Sequence, residues 1–171
     1  KAERYIFMEY FIIDEGIMWG EILAILEEKA KAGLDVRVMF DGMNEMTTLS
    51  YDYIERLHKV GIKAQAFSPV KPSYQPITIT ETIEDTVIDG QVAYTGGVNI
   101  ADEYVNKRER FGHWKDTALR LDGSAVQTLK ALFLTMWTVT GVEDKTDMEH
   151  YLQEKPQKSK SQGLVLPYAN S

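Results

Sequence analysis

The first 67 residues alternate strand-like and helix-like segments at a spacing that admits few folds. Residues 5–13 are aromatic and β-branched and read as a buried strand. Residues 17–32 follow a helical period, with Met18, Ile22, Ile25 and Leu26 on one face and Gly33 as the stop. Val36, Val38 and Phe40 alternate as a second strand. Ser50 is placed to cap a helix running to about Val60, with Tyr53, Ile54 and Leu57 inward and Gly61 after its end. Ile62 to Phe67 is a third strand. Strand, helix, strand, helix, strand at this spacing implies right-handed crossovers and a largely parallel sheet flanked by helices, an α/β class.

The second half changes character. Thr86-Val87-Ile88 and Gln91-Val92-Ala93-Tyr94 flank Asp89-Gly90, a strong hairpin signal. Thr117 to Leu121 reads as another strand. Residues 124–138 form an amphipathic helix with Val126, Leu129, Leu132, Phe133, Met136 and Trp137 inward. From Val142 to Gly163 the chain is charged and rich in Lys, Gln and Ser, and reads as a linker; residues 164–171 look like the opening of a following unit.

Composition removes several functions. A chain of 171 residues can bury roughly 70% of its unfolded surface, enough for one domain with a core. There is no Cys, hence no disulfide, thiolate metal site or thiol nucleophile. The net charge of −7 argues against a general nucleic-acid binder. The apolar run at 5–13 contains Glu9 and is too short to cross a bilayer. The chain opens Lys-Ala-Glu-Arg and enters a strand at once, with no signal peptide, as expected of a piece of a longer polypeptide.

Chemistry concentrates between Thr82 and Asn99. Asp89, then Gly96-Gly97 and Asn99, follow the second part of a motif that runs H-x-K-x-x-x-x-D, six residues, a Gly-Gly or Gly-Ser pair and an Asn. In this respect the chain resembles the phospholipase D superfamily. Further runs narrow the resemblance: Phe7-Met8-Glu9-Tyr10-Phe11, Gly33-Leu34-Asp35-Val36-Arg37, Ile100-Ala101-Asp102-Glu103-Tyr104 and Arg110-Phe111-Gly112-His113-Trp114-Lys115-Asp116-Thr117 are similar to the first half of bacterial cardiolipin synthases. The His position of the motif holds Thr82 and the Lys position holds Glu84.

The resemblance implies a phospholipase D-like α/β/α sandwich with a mixed, mostly parallel sheet over residues 1–141. It implies a cytoplasmic domain of a cell-membrane protein, the chain itself being soluble. The partner would be the second half of the same polypeptide or a homodimer mate, with phosphatidylglycerol as lipid, no nucleic acid and no cofactor. In active relatives one His attacks phosphorus and another protonates the leaving alcohol, while Lys and Asn side chains hold the charged oxygens. Here no catalytic set is intact: Thr82, Glu84 and Asp89 occupy the motif positions. Gly96, Gly97, Asn99, Glu9 and His113 are the candidate pocket residues, and no metal ligand set is expected. From Pro72 to Asn106 there is no Lys or Arg. The isolated chain is therefore expected to be inactive; a non-catalytic lipid-binding or regulatory scaffold is the alternative. A third reading is a hydrolase built on Glu81, Glu84 and Asp85.

Plainer roles compete for the same residues. Asp89 suits a type I′ turn without any catalytic duty. Gly96 and Gly97 are read as either a tight turn needing positive φ or a phosphate-facing turn. Asn99 either caps a following helix or lines the pocket. For His113, packing near Trp114 is favoured over the pocket. His58 and His150 are read as solvated, as are the acids Glu81, Glu84 and Asp85, whose spacing fits no carboxylate loop.

Overall fold

The computed structural model describes residues 1–67, 84–140, 146–155 and 165. Strands β1 (Tyr5–Tyr10), β2 (Asp35–Asp41), β3 (Lys63–Phe67), β4 (Glu84–Ile88), β5 (Val92–Gly96) and β6 (Ala118–Asp122) form one sheet in the order β3-β2-β1-β4-β5-β6. Helices α1 (Ile17–Lys31), α2 (Asn44–Thr47) and α3 (Tyr53–Lys59) connect the early strands; α4 (Ala125–Thr140) and α5 (Thr146–Leu152) follow the last.

The sheet is mixed but not mostly parallel. β1 pairs in parallel with β2, and β2 with β3, as the helical crossovers require. The pairs β1–β4, β4–β5 and β5–β6 are antiparallel. The cause is the Asp89-Gly90 hairpin, which reverses the chain, and a β4 that enters beside β1 from the opposite end. Asp89 and Gly90 both hold positive φ, 54° and 64°, as a type I′ turn demands.

Each face of the sheet buries one core. On one face, Ile6, Met8, Val36, Val38 and Phe40 pack against Trp19 and Leu26 of α1 and Tyr53 and Leu57 of α3. On the other, Tyr5, Phe7, Met39 and Val87 pack against Val126, Leu129, Phe133 and Trp137 of α4. Phe7 stacks on Phe133 with ring centroids 5.0 Å apart. Each such side chain contributes about 1.5–3 kcal/mol by leaving water. Three layers result, helices on both sides of the sheet.

Three local expectations change. Ile25 is 56% exposed, and Trp19 takes the inward place on α1. Ser50 does not cap α3; its hydroxyl donates to the Asp52 carboxylate, and the helix begins at Tyr53. The expected linker contains α5, which packs on the domain: the Tyr151 hydroxyl donates to Asp35 at 2.7 Å, and Glu154 accepts from Tyr5 and Lys130. Residues 142–145, 156–164 and 166–171, the rest of that linker and most of the expected following unit's start, lie outside the described residues. No helix among the described residues is long and apolar enough to cross a membrane.

Candidate functional site

The site forms where β4 begins and β5 ends. Glu84 pairs in register with Gly96, and Gly96 with Ala118, so three strand ends meet. A Cβ on Gly96 would lie 2.3 Å from the Thr117 carbonyl oxygen, so β6 can approach only a glycine there. A Cβ on Gly97 would lie 3.0 Å from an Asp116 carboxylate oxygen. Neither glycine has positive φ, so close approach, and not a left-handed turn, is the reason for the pair.

Asn99 does not cap a helix. Its side-chain oxygen accepts the Ile12 amide at 2.7 Å, tying the loop after β5 to the chain leaving β1. Its side chain also lies near enough to the Glu84 carboxylate to favour the charged form of that acid. Burial raises the Glu84 pKa, Asn99 opposes that, and the nearby Asp116 charge adds to it. Asp116 in turn accepts from the Trp114 indole at 3.1 Å and from the Thr117 amide at 2.8 Å. Glu84, Gly96, Gly97, Asn99 and Asp116 thus share one corner of the molecule, and its ionisable members are acids.

Other expected residues lie elsewhere. Asp89 is at the far end of β4, about 16 Å from Glu84 at strand rise. Its carboxylate accepts the backbone amides of Glu3, Arg4 and Tyr5 at 2.8, 2.8 and 2.9 Å. It joins the N-terminus to the hairpin. Glu9 sits opposite Asp85 in the β1–β4 register, on the sheet face that α4 covers, while Glu84 lies on the other. His113 is exposed in a surface depression shared with Asn106, Glu109 and Gly112. Thr82 and Glu81 lie outside the described residues.

The reading of Glu84 and Asp85 as solvated acids is overturned. Glu84 is half-buried. Asp85 is 1% exposed, and neither of its carboxylate oxygens has a hydrogen-bond partner. Burial holds its pKa well above the usual range, and neighbouring Glu9 adds to the effect. Burial likewise pushes Glu9 up to about 8. Their strand alternation is uninformative, because polar residues occupy both faces of β4. Asp116 was missed as a site residue although it lies within the Arg110–Thr117 run; only the β5–β6 pairing brings it to Glu84. Asp102 was missed too: it caps α1 by accepting from the Ile17 and Met18 amides, and no local signal announces a cap so distant in sequence.

No family model matches the chain. An uncharacterized protein of Streptococcus mutans is 49% identical over 172 residues, covering 100% of this chain and 37% of that protein. The cardiolipin synthase of Alkalihalophilus pseudofirmus is 41% identical over 138 residues, 80% of this chain and 27% of that protein. A probable cardiolipin synthase of Bacillus subtilis is 34% identical over 153 residues, 88% of this chain and 30% of that protein. The chain therefore spans between about a quarter and about two fifths of these relatives. Among solved structures, the phospholipase D family member Nuc from Salmonella typhimurium aligns with a TM-score of 0.60 at 13% identity, over 82% of each chain. A phosphatidylserine synthase of Haemophilus influenzae aligns with a TM-score of 0.57 at 14% identity, over 98% of this chain and 42% of that one. At such identities the structural likeness concerns the fold.

Proposed function

The chain is a phospholipase D superfamily domain, cardiolipin synthase-like in sequence, and from that premise we propose that it is a non-catalytic half of a two-half phosphatidyltransferase. The greater length of the relatives supports a second half in the parent polypeptide. In this reading the other half supplies the nucleophile and the acid for phosphodiester exchange, with phosphatidylglycerol as lipid. The present half contributes structure and one wall of the site, on the cytoplasmic side of a membrane protein.

The observation that carries the proposal is the Glu84–Asn99 contact beside Asp116. At the motif position of a phosphate-binding cation stands an anion. Asn99, the residue that would hold a non-bridging oxygen, is engaged by that anion and by the Ile12 amide. At an effective dielectric of about 20, two like charges roughly 4 Å apart repel by about 4 kcal/mol before screening. A phosphodiester at this corner meets that repulsion in place of an attraction.

The test is cardiolipin formation from phosphatidylglycerol by the full parent polypeptide and by the 171-residue chain alone. The parent is expected to turn over with Glu84→Gln as well as without it, and the chain alone is expected to be silent. Turnover by the isolated chain that disappears with Glu84→Gln would overturn the proposal. A parent that makes no cardiolipin, even with Thr82→His and Glu84→Lys together, would favour the scaffold alternative.

A further inference from the structure

The loop between the 3-10 turn (Asp102–Val105) and β6 is built with care and serves neither core. Asn106, at φ 57°, accepts the Trp114 amide at 2.7 Å and donates to the Trp114 carbonyl at 2.8 Å, which closes residues 106–114 into a ring. From inside, Glu103, 3% exposed, accepts from Arg108 at 2.6 Å and from Arg110 at 2.8 Å. The Trp114 ring stands edge-on to Tyr104 at 5.4 Å. This frame holds Phe111 outward at 54% exposure, with the Arg110 guanidinium 5.0 Å from its ring centre.

The charge of the loop opposes that of the chain. Residues 106–115 carry Lys107, Arg108, Arg110 and Lys115 against the single acid Glu109, in a chain of net charge −7. All four cations are exposed; Arg108 is paired with Glu103 and Asp14 and Arg110 with Glu103, so the outward charge of the loop rests on Lys107 and Lys115. An exposed aromatic on a loop that also carries exposed cations, in an otherwise acidic protein, is complementary to an anionic interface with an apolar layer beneath it. The loop also borders the site, because the Trp114 indole donates to Asp116.

We propose that residues 106–115 form an interfacial anchor that docks the domain on an anionic phospholipid bilayer, with Phe111 entering the boundary between headgroups and acyl chains and Lys107 and Lys115 facing lipid phosphates. The choice of a bilayer rests on the phospholipid-acting parent proposed above; the loop geometry does not.

The 171-residue chain would be mixed with phosphatidylglycerol vesicles and, separately, with phosphatidylcholine vesicles, and sedimented. Trp19 and Trp137 are 1% and 3% exposed, so quenching by lipids brominated in their acyl chains reports mainly on Trp114. The expected result is partition into phosphatidylglycerol with Trp114 quenched. Phe111→Ser should weaken it about tenfold, the effect of one aromatic side chain no longer leaving water. Lys107→Glu with Lys115→Glu should abolish the preference for phosphatidylglycerol. These positions are exposed, and circular dichroism checks that each variant is folded. Equal binding to both vesicles, no binding, or binding indifferent to both variants would overturn the anchor. Phe111-dependent binding alongside a parent that makes no cardiolipin would remove the catalytic reading and leave the anchor standing.

Discussion

The two ends of β4 each bury an acid, and the two acids are in opposite circumstances. Asp89 is 7% exposed, and its carboxylate receives three backbone amides. Asp85 is 1% exposed, receives none, and faces a second buried carboxyl, Glu9. Burial alone therefore says nothing about what an acid contributes. Asp89 satisfies donors at a chain end that would otherwise be left without partners. Asp85 leaves its own oxygens without partners and meets the desolvation cost unaided.

Removing the two carboxylates should consequently have opposite signs. Asp89→Ala leaves three amides to find other acceptors and puts a Cβ-bearing residue without a local bond at positive φ. A loss of about 3–5 kcal/mol is expected in urea unfolding. Asp89→Asn tolerates the turn and should fall between this variant and the parent. Asp85→Val places a β-branched residue in a buried strand and removes an unpartnered acid. It should gain about 1–3 kcal/mol at neutral pH. If Asp85→Val destabilises instead, the acid has a partner and the contrast between the ends of β4 collapses.

The same contrast has a pH signature. Burial raises Glu9 from its ordinary value near 4.5 to about 8, and Asp85 moves the same way. A raised carboxyl pKa means that the folded state holds protons the unfolded chain gives up. The stability from these groups is complete below about pH 4.5 and is lost as pH rises through about 8. The expected loss is up to about 1.4 kcal/mol per pH unit per group within that window. Asp35 behaves oppositely: burial raises it, but its bonds to Arg37 and Tyr151 outweigh that and hold it below its ordinary value, so its contribution disappears at acid pH. Urea midpoints across pH 5–9 should fall on the alkaline side, and less steeply in Glu9→Gln. A flat alkaline limb shared by both proteins would mean that the pair is not buried as described.

Which of these features the sequence could reveal follows the range of the interactions. The alternation of β2, the Asp89-Gly90 turn and the period of α4 are local and were legible; the period of α1 was legible except at Ile25, which is exposed, and Trp19, which is buried in its place. The antiparallel entry of β4 beside β1 depends on partner choice across the chain, and was not. α5 was hidden because its attachments, Tyr151 to Asp35 and Glu154 to Tyr5 and Lys130, cross long stretches of sequence. At the site, motif spacing brought out Glu84, the glycine pair and Asn99. It could not show that Asp85 is buried, because Glu84, Asp85 and Thr86 give no apolar face to read.

The glycine pair offers the finest division, within a single dipeptide. At Gly96 an added Cβ meets backbone, the Thr117 oxygen at 2.3 Å and the Ala118 Cα at 2.8 Å. Backbone in a paired strand cannot yield without breaking the β5–β6 ladder. At Gly97 the same Cβ meets the end of the Asp116 side chain at 3.0 Å, which can rotate away. Gly96→Ala should therefore cost about 1–3 kcal/mol, as overpacking does, and loosen β6, visible as faster amide exchange at Leu119 and Leu121. Gly97→Ala should cost less than about 1 kcal/mol and move only the bonds that Asp116 accepts from Thr117 and Trp114, read as shifts of the Thr117 amide and Trp114 indole proton resonances. Equal costs at both positions would mean that the pair is kept for a ligand's approach, and that β6 does not sit as close to β5 as its register requires.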